Sequence, residues 1–152
     1  LRDFAEADLA ALIDLWVAAW RDTGFAIDFD ARREWLGNHL RALRDQGAAI
    51  VVGLDAEGAP AGFVTIDPKI GALDQLCVAP REQGSGLARA LLDEAKRLSP
   101  GAVELEVNEA NARALRFYER EGFVFVSRSA SALSGLPTLI LRWNANDRGS
   151  PR

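Results

Sequence analysis

Apolar residues recur at steps of three and four through Leu9, Leu12, Ile13, Trp16, Val17 and Trp20. That spacing predicts an amphipathic helix over 8–21, with Asp8 as its N-cap. A second stripe, Trp35, Leu36, Leu40 and Leu43, predicts a helix over 30–46 that stops at Gly47. The opening residues 1–4 read as the end of a strand. The rhythm then turns to β: residues 48–54 and 61–67 flank the turn Asp55-Ala56-Glu57-Gly58 as a hairpin, and 72–78 is a third strand ended by Pro80. Leu87, Ala88, Leu91, Leu92, Ala95 and Leu98 form one face of a helix over 84–98, broken by Ser99-Pro100-Gly101. A strand over 102–107, a helix over 109–121 ended by Gly122, and strands over 123–128 and 137–143 complete the pattern. This order predicts one α/β sandwich domain over 1–143 around a mixed sheet. The polar residues 144–152 are expected to form a disordered tail.

The 152 residues are enough for one domain with its own core, and 49% apolar with 26% charged is ordinary for a globular protein. A net charge of -4 argues against a general nucleic-acid binder and suits an amine partner. One cysteine, Cys77, excludes an internal disulfide, and with one histidine, His39, no metal site is expected. No run of about 18 apolar residues and no apolar leader appears, so no membrane partner and a cytoplasmic location are expected. Methionine is absent even at position 1, which implies numbering that starts inside a longer reading frame.

The segment Leu76-Cys77-Val78-Ala79-Pro80-Arg81-Glu82-Gln83-Gly84-Ser85-Gly86-Leu87-Ala88 runs from a strand through a glycine turn straight into a helix. Free N–H groups and the helix dipole make such a junction an anion site, and glycine lets the backbone approach a phosphate. It lacks the Lys-Ser/Thr pair of a P-loop and the third glycine of a dinucleotide fingerprint. Gln83-Gly84-Ser85-Gly86-Leu87-Ala88 resembles the pyrophosphate loop of the GNAT acetyltransferase superfamily, and Leu76-x-Val78-x-Pro80 resembles its lead-in. Further on, Asn111-x-x-Ala114-x-x-Phe117-Tyr118-x-x-x-Gly122-Phe123 is similar to the cofactor-side helix of the same family. Asn111, Ala114 and Tyr118 would share one helix face, with Asn108 as the N-cap and Phe117 and Phe123 in the core.

The resemblance implies a mixed, mostly antiparallel sheet of six or seven strands flanked by four helices, and acetyl-CoA as co-substrate. It implies that the main chain of Leu76, Cys77 and Val78 pairs with the pantetheine arm, helped by Asn111 and Ala114. The loop from Gln83 through Gly84, Ser85, Gly86 and Leu87 to Ala88 would hold the pyrophosphate. Tyr118 would protonate the departing thiolate, a phenol and a thiol being close in pKa. With His39 alone in its helix, no Ser-His-Asp or Cys-His set is available, so direct attack by an amine in a ternary complex is preferred to a covalent intermediate at Cys77. Base candidates are carboxylates: Glu106 first, then Asp74, with Glu104 on the same strand face as Glu106. The acceptor is expected to be a small-molecule or protein amine, with residues 21–30 lining its pocket, and a homodimer is plausible from the C-terminal edge strands. The alternatives are a non-catalytic acyl-CoA sensor of the same fold, and a partner-binding domain displaying Trp16, Trp20 and Trp35.

Overall fold

The computed structural model describes residues 1–23, 28, 30–132 and 134–145. The elements are β1 (Arg2–Asp3), α1 (Leu9–Arg21), α2 (Arg33–Asp45), β2 (Ala49–Leu54), β3 (Pro60–Asp67), β4 (Ala72–Val78), α3 (Leu87–Leu98), β5 (Ala102–Asn108), α4 (Ala112–Arg120), β6 (Val124–Ala130) and β7 (Pro137–Asn144). The seven strands form one sheet in the order β1-β2-β3-β4-β5-β7-β6. All neighbours are antiparallel except β4 and β5. The expected α/β sandwich with a mixed, mostly antiparallel sheet and four helices is what the chain forms. The first two residues of the expected tail belong to the fold, because β7 runs through Asn144 and the Ala145 N–H donates to Gly101 O at 3.1 Å. Residues 146–152 lie outside the described residues.

Strands β2 and β3 are buried at nearly every position, so they carry unbroken apolar runs in place of an alternation. Helices α1 and α2 cover one face, packing Leu12, Trp16, Val17, Leu36 and Leu40 on Val52, Phe63 and Cys77. On the other face Leu91, Leu92 and Ala95 of α3 and Tyr118 of α4 join Val64, Ile66, Val103, Leu105 and Trp143. The α1–α2 side of β5 stays open: Glu104 and Glu106 alternate with buried Val103, Leu105 and Val107, and both glutamates are exposed.

Two features of β4 shape the site. First, β4 pairs with β5 at its start, Ala72 opposite Glu104, and no further rung joins them among the described residues. Two strands that part in this way leave backbone groups on their facing edges without ladder partners. Second, the β3–β4 register shifts so that Asp74 and Gln75 stand opposite the single residue Thr65, whose hydroxyl accepts from the Gln75 N–H at 2.9 Å. A bulge of this kind turns two consecutive side chains to one face.

Asp8 precedes α1, yet its carboxylate does not cap that helix. It ends a 3-10 turn over Glu6–Asp8, accepts from the Ala5 N–H at 2.8 Å and takes a two-pronged bond from Arg2 at 2.8 Å. The Arg2 hydrogen bond holds the Asp8 carboxyl below its ordinary range, against the opposing effect of burial. A depressed folded-state pKa stabilises the fold above the unfolded value of about 3.9 and is lost as pH falls below it. Asp8→Asn is therefore expected to lower the unfolding temperature at neutral pH and to flatten its decline below about pH 4. Thermal unfolding followed across that range checks both.

Candidate active site

Two chambers open where β4 and β5 part. A groove of about 1220 Å³ runs along α3 and α4, bordered by Val78, Gln83, Gly84, Gly86, Ala88, Arg113 and Phe117. A cleft of about 480 Å³ lies under α1 and α2, bordered by Trp16, Trp35, His39, Asp74, Gln75, Glu106 and Thr138. Trp20, Leu76, Asn111, Ala114 and Tyr118 border both and form the wall where the chambers meet.

The larger groove has the build of a site for a long, phosphorylated arm. The Gln75 and Ala79 N–H groups face β3, bonding Thr65 Oγ1 at 2.9 Å and Ala61 O at 2.8 Å. By the two-residue period, Leu76 and Val78 present their N–H and C=O to the open edge. The same period turns the Cys77 main chain toward β3, opposite Phe63, while Cys77 still borders the groove between Leu76 and Val78. Its thiol is buried on the α1 face, 4.0 Å from Leu15 O, and burial pushes it up to about 12, which makes it an inert side chain and no nucleophile.

At the groove's far end the expected helix over 84–98 starts three residues later. Gly84 and Gly86 take φ of +82° and +90°, and Gly86 is the residue that leads into α3. A Cβ at either would meet no protein atom within 4 Å, so the loop's outer side is open to a ligand. The Ser85 hydroxyl accepts from the Leu87 N–H at 3.3 Å, and the Leu87 side chain packs against the core instead of bordering the groove. Gln83 bridges the groove, accepting from Arg113 and donating to Asp22 at 3.5 Å.

On the α4 side, helix 109–121 is shorter than expected. Asn111, not Asn108, is the N-cap, accepting from the Ala114 N–H at 3.2 Å. Asn111 thus caps the face that Ala114 and Tyr118 share, and its NH2 is the half that a ligand carbonyl can use. Phe123 is buried, whereas Phe117 is half-buried and borders the groove, so Phe117 is not the core residue that the motif suggested. Tyr118 lies edge-on to Phe117 and Phe123, with centroids 5.2 and 5.4 Å away. Burial, and secondarily Cys77, raises its phenol far above the ordinary value, contrary to the expected match with a thiol.

The smaller cleft is aromatic on one side and acidic on the other. Trp16 is buried and Trp20 and Trp35 border the cleft, so the three tryptophans do not form an outward docking surface. The bulge aims Asp74 and Gln75 together at this wall: Asp74 Oδ2 is hydrogen-bonded to His39 Nε2, and Gln75 Oε1 accepts from Trp16 Nε1 at 3.3 Å. Glu106 accepts from the buried Thr138 hydroxyl, and Glu104 pairs with Arg142 at 3.7 Å, outside the cleft lining. His39 is the residue missed by the sequence: it does not sit alone, since α2 and β4, 35 residues apart, bring it to Asp74. Of residues 21–30, Thr23 borders the larger groove, Arg21 pairs with Asp30, and Phe25 lies outside the described residues.

Known proteins share this fold. The Acetyltransferase (GNAT) family profile matches residues 9–123. The peptidyl-lysine N-acetyltransferase YjaB of Salmonella typhimurium is 29% identical over 132 residues, 82% of this chain and 86% of that protein. The peptidyl-lysine N-acetyltransferase YiaC of Escherichia coli is 27% identical over 145 residues, 94% of this chain and 95% of that protein. The solution structure of apo YjaB from Escherichia coli superposes with a TM-score of 0.75 at 25% identity, covering 93% of this chain and 95% of that one. A Thermoplasma acidophilum PaiA N-acetyltransferase in complex with coenzyme A shares the fold, with a TM-score of 0.78 at 18% identity over 94% and 96% of the two chains. The chain belongs to the GNAT acetyltransferase family.

Proposed function

We propose that the chain acetylates a primary amine by direct attack on acetyl-CoA in a ternary complex, with the donor in the larger groove and the acceptor in the smaller cleft. The observation that carries this reading is the shared wall at Leu76, Asn111, Ala114 and Tyr118, where a thioester from one chamber and an amine from the other would meet. The loop from Gln83 to Ala88 and the α3 N-terminus would hold the pyrophosphate. The open edge at Leu76 and Val78 would pair with the pantetheine amides and polarise the thioester carbonyl, with Asn111 and Ala114 flanking the arm. Tyr118 would donate a hydrogen bond to the departing sulfur. Asp74 and Glu106 give the cleft negative charge suited to an ammonium, and Glu106, anchored by Thr138, fits binding of that charge.

The relatives named as peptidyl-lysine acetyltransferases favour a lysine side chain as acceptor. A second relative, the streptothricin acetyltransferase of Streptomyces lavendulae, keeps small amines open. No helix among the described residues is long and apolar enough to cross a membrane, and a cytoplasmic location is part of the proposal. So is a homodimer through edge strand β6, supported by its exposed Val124, Phe125 and Val126. So too is a single domain whose last strand runs through Asn144.

Calorimetric titration with acetyl-CoA, followed by an amine screen read as release of free CoA, tests the reading. Micromolar binding that is lost without the pyrophosphate end, plus amine-dependent release, is expected. Binding without release would leave the acyl-CoA sensor, and no binding at millimolar ligand would remove both.

A further inference from the structure

We infer that His39 is the base of the acetyl transfer and that Asp74 is the residue that positions it. The inference rests on the acetyltransferase reading and names the proton acceptor which that reading leaves open.

His39, the one histidine of the chain, reaches from α2 across the cleft to the bulged segment of β4. Its Nε2 meets Asp74 Oδ2, and its ring stacks on Trp35 with centroids 4.5 Å apart and planes at 15°. The side chains of His39 and Asp74 are 26% and 34% exposed, so both are held yet touch the cleft's solvent. Trp35 in turn leans on Trp16 at 6.4 Å, and Trp16 bonds Gln75, the neighbour of Asp74 in the bulge. Each of the two side chains that the bulge re-aims is therefore clasped by the wall of α1 and α2. An ionised carboxylate can only accept, so Asp74 keeps the ring proton on Nε2 and leaves Nδ1 as the basic nitrogen. Among the described residues the other titratable groups bordering the cleft are Arg32 before α2, Glu106 of β5 and Tyr118 of α4; α1 contributes Trp16 and Trp20, which do not titrate.

The protons then balance. The acceptor ammonium gives one proton to His39 Nδ1 through water in the cleft, and the freed lone pair attacks the thioester carbon. The C–N bond forms, the C–S bond breaks, and the second proton leaves nitrogen and ends on the CoA sulfur. The imidazolium, stabilised by the Asp74 carboxylate, returns its proton to solvent. The products are one acetamide, one CoA thiol and one released proton.

His39→Gln keeps a donor for Asp74 and removes the base. With spermidine or an end-blocked lysine peptide as acceptor, kcat is expected to fall about 100-fold while the acetyl-CoA dissociation constant holds. The part of the pH dependence of kcat/KM that follows the base should disappear with it. Asp74→Asn should lower kcat in the same direction by a smaller factor, and added imidazole should restore part of the rate of His39→Gly, which a packing role would not allow. A His39→Gln protein with the parent's rate and pH profile overturns the inference. Failure of the parent itself to bind acetyl-CoA overturns the acetyltransferase reading instead, so the two failures are told apart.

Discussion

Tyr118→Phe is expected to lower kcat by about 10- to 100-fold with acetyl-CoA affinity unchanged. The size follows from what a deeply buried phenol can do. Its pKa is raised chiefly by burial, so giving up the proton to a thiolate would be uphill. A hydrogen bond from the retained O–H to the developing charge is worth about 1.5–3 kcal/mol, which sets that range. The proton that finally reaches sulfur then comes from the attacking nitrogen. The ring's packing against Phe117 and Phe123 survives in phenylalanine, so the fold should be intact. The same logic predicts no fall in rate from tyrosine ionisation as pH approaches 10. Rapid-mixing turnover combined with calorimetry separates kcat from binding, and an unchanged kcat removes Tyr118 from the mechanism.

Gly86→Glu is expected to weaken acetyl-CoA at least 100-fold while leaving turnover at saturation close to the parent's. Two effects add. A left-handed φ of +90° costs a side-chain-bearing residue about 1–2 kcal/mol. A carboxylate beside the pyrophosphate adds repulsion of about 4 kcal/mol at 4 Å near a protein surface. Since a Cβ at Gly86 meets no protein atom within 4 Å, the loss comes from strain and charge and not from a clash within the chain. Gly86→Ala isolates the strain and should cost about 30-fold or less. A Gly86→Glu protein that binds acetyl-CoA like the parent would show that the loop does not hold the pyrophosphate.

Most of the architecture was legible because it is periodic. Stripes at three and four residues marked α1 to α4, and the glycine loop and the Asn111–Tyr118 segment stood out as contiguous strings of residues. The rest depends on register and distance. A bulge at Asp74 and Gln75 has no signature in seven residues of strand, where strict alternation would put consecutive residues on opposite faces. His39 looked isolated because its partner lies 35 residues away, across a contact of α2 with β4. Asn108 and Asn111 are equally good caps by type, and the choice was made by where β5 ends. The phenol of Tyr118 looked like a ready acid only because its burial against Phe117 and Phe123 could not be read from spacing. The roles themselves rest on the proposal above.

The parting of β4 from β5 has a consequence for how such an enzyme can change. On the proposed reading the donor side is built from β4's open edge, the loop and the two helices behind the sheet, while the acceptor side is roofed by α1 and α2. Because the chambers adjoin along the narrow wall from Leu76 to Tyr118, roof residues that border only the smaller cleft, such as Trp16 and Trp35, can be rewritten without disturbing the acetyl-CoA grip. Selection for a new amine would therefore act on α1 and α2 positions other than His39 and Trp20, as a socket that accepts interchangeable heads.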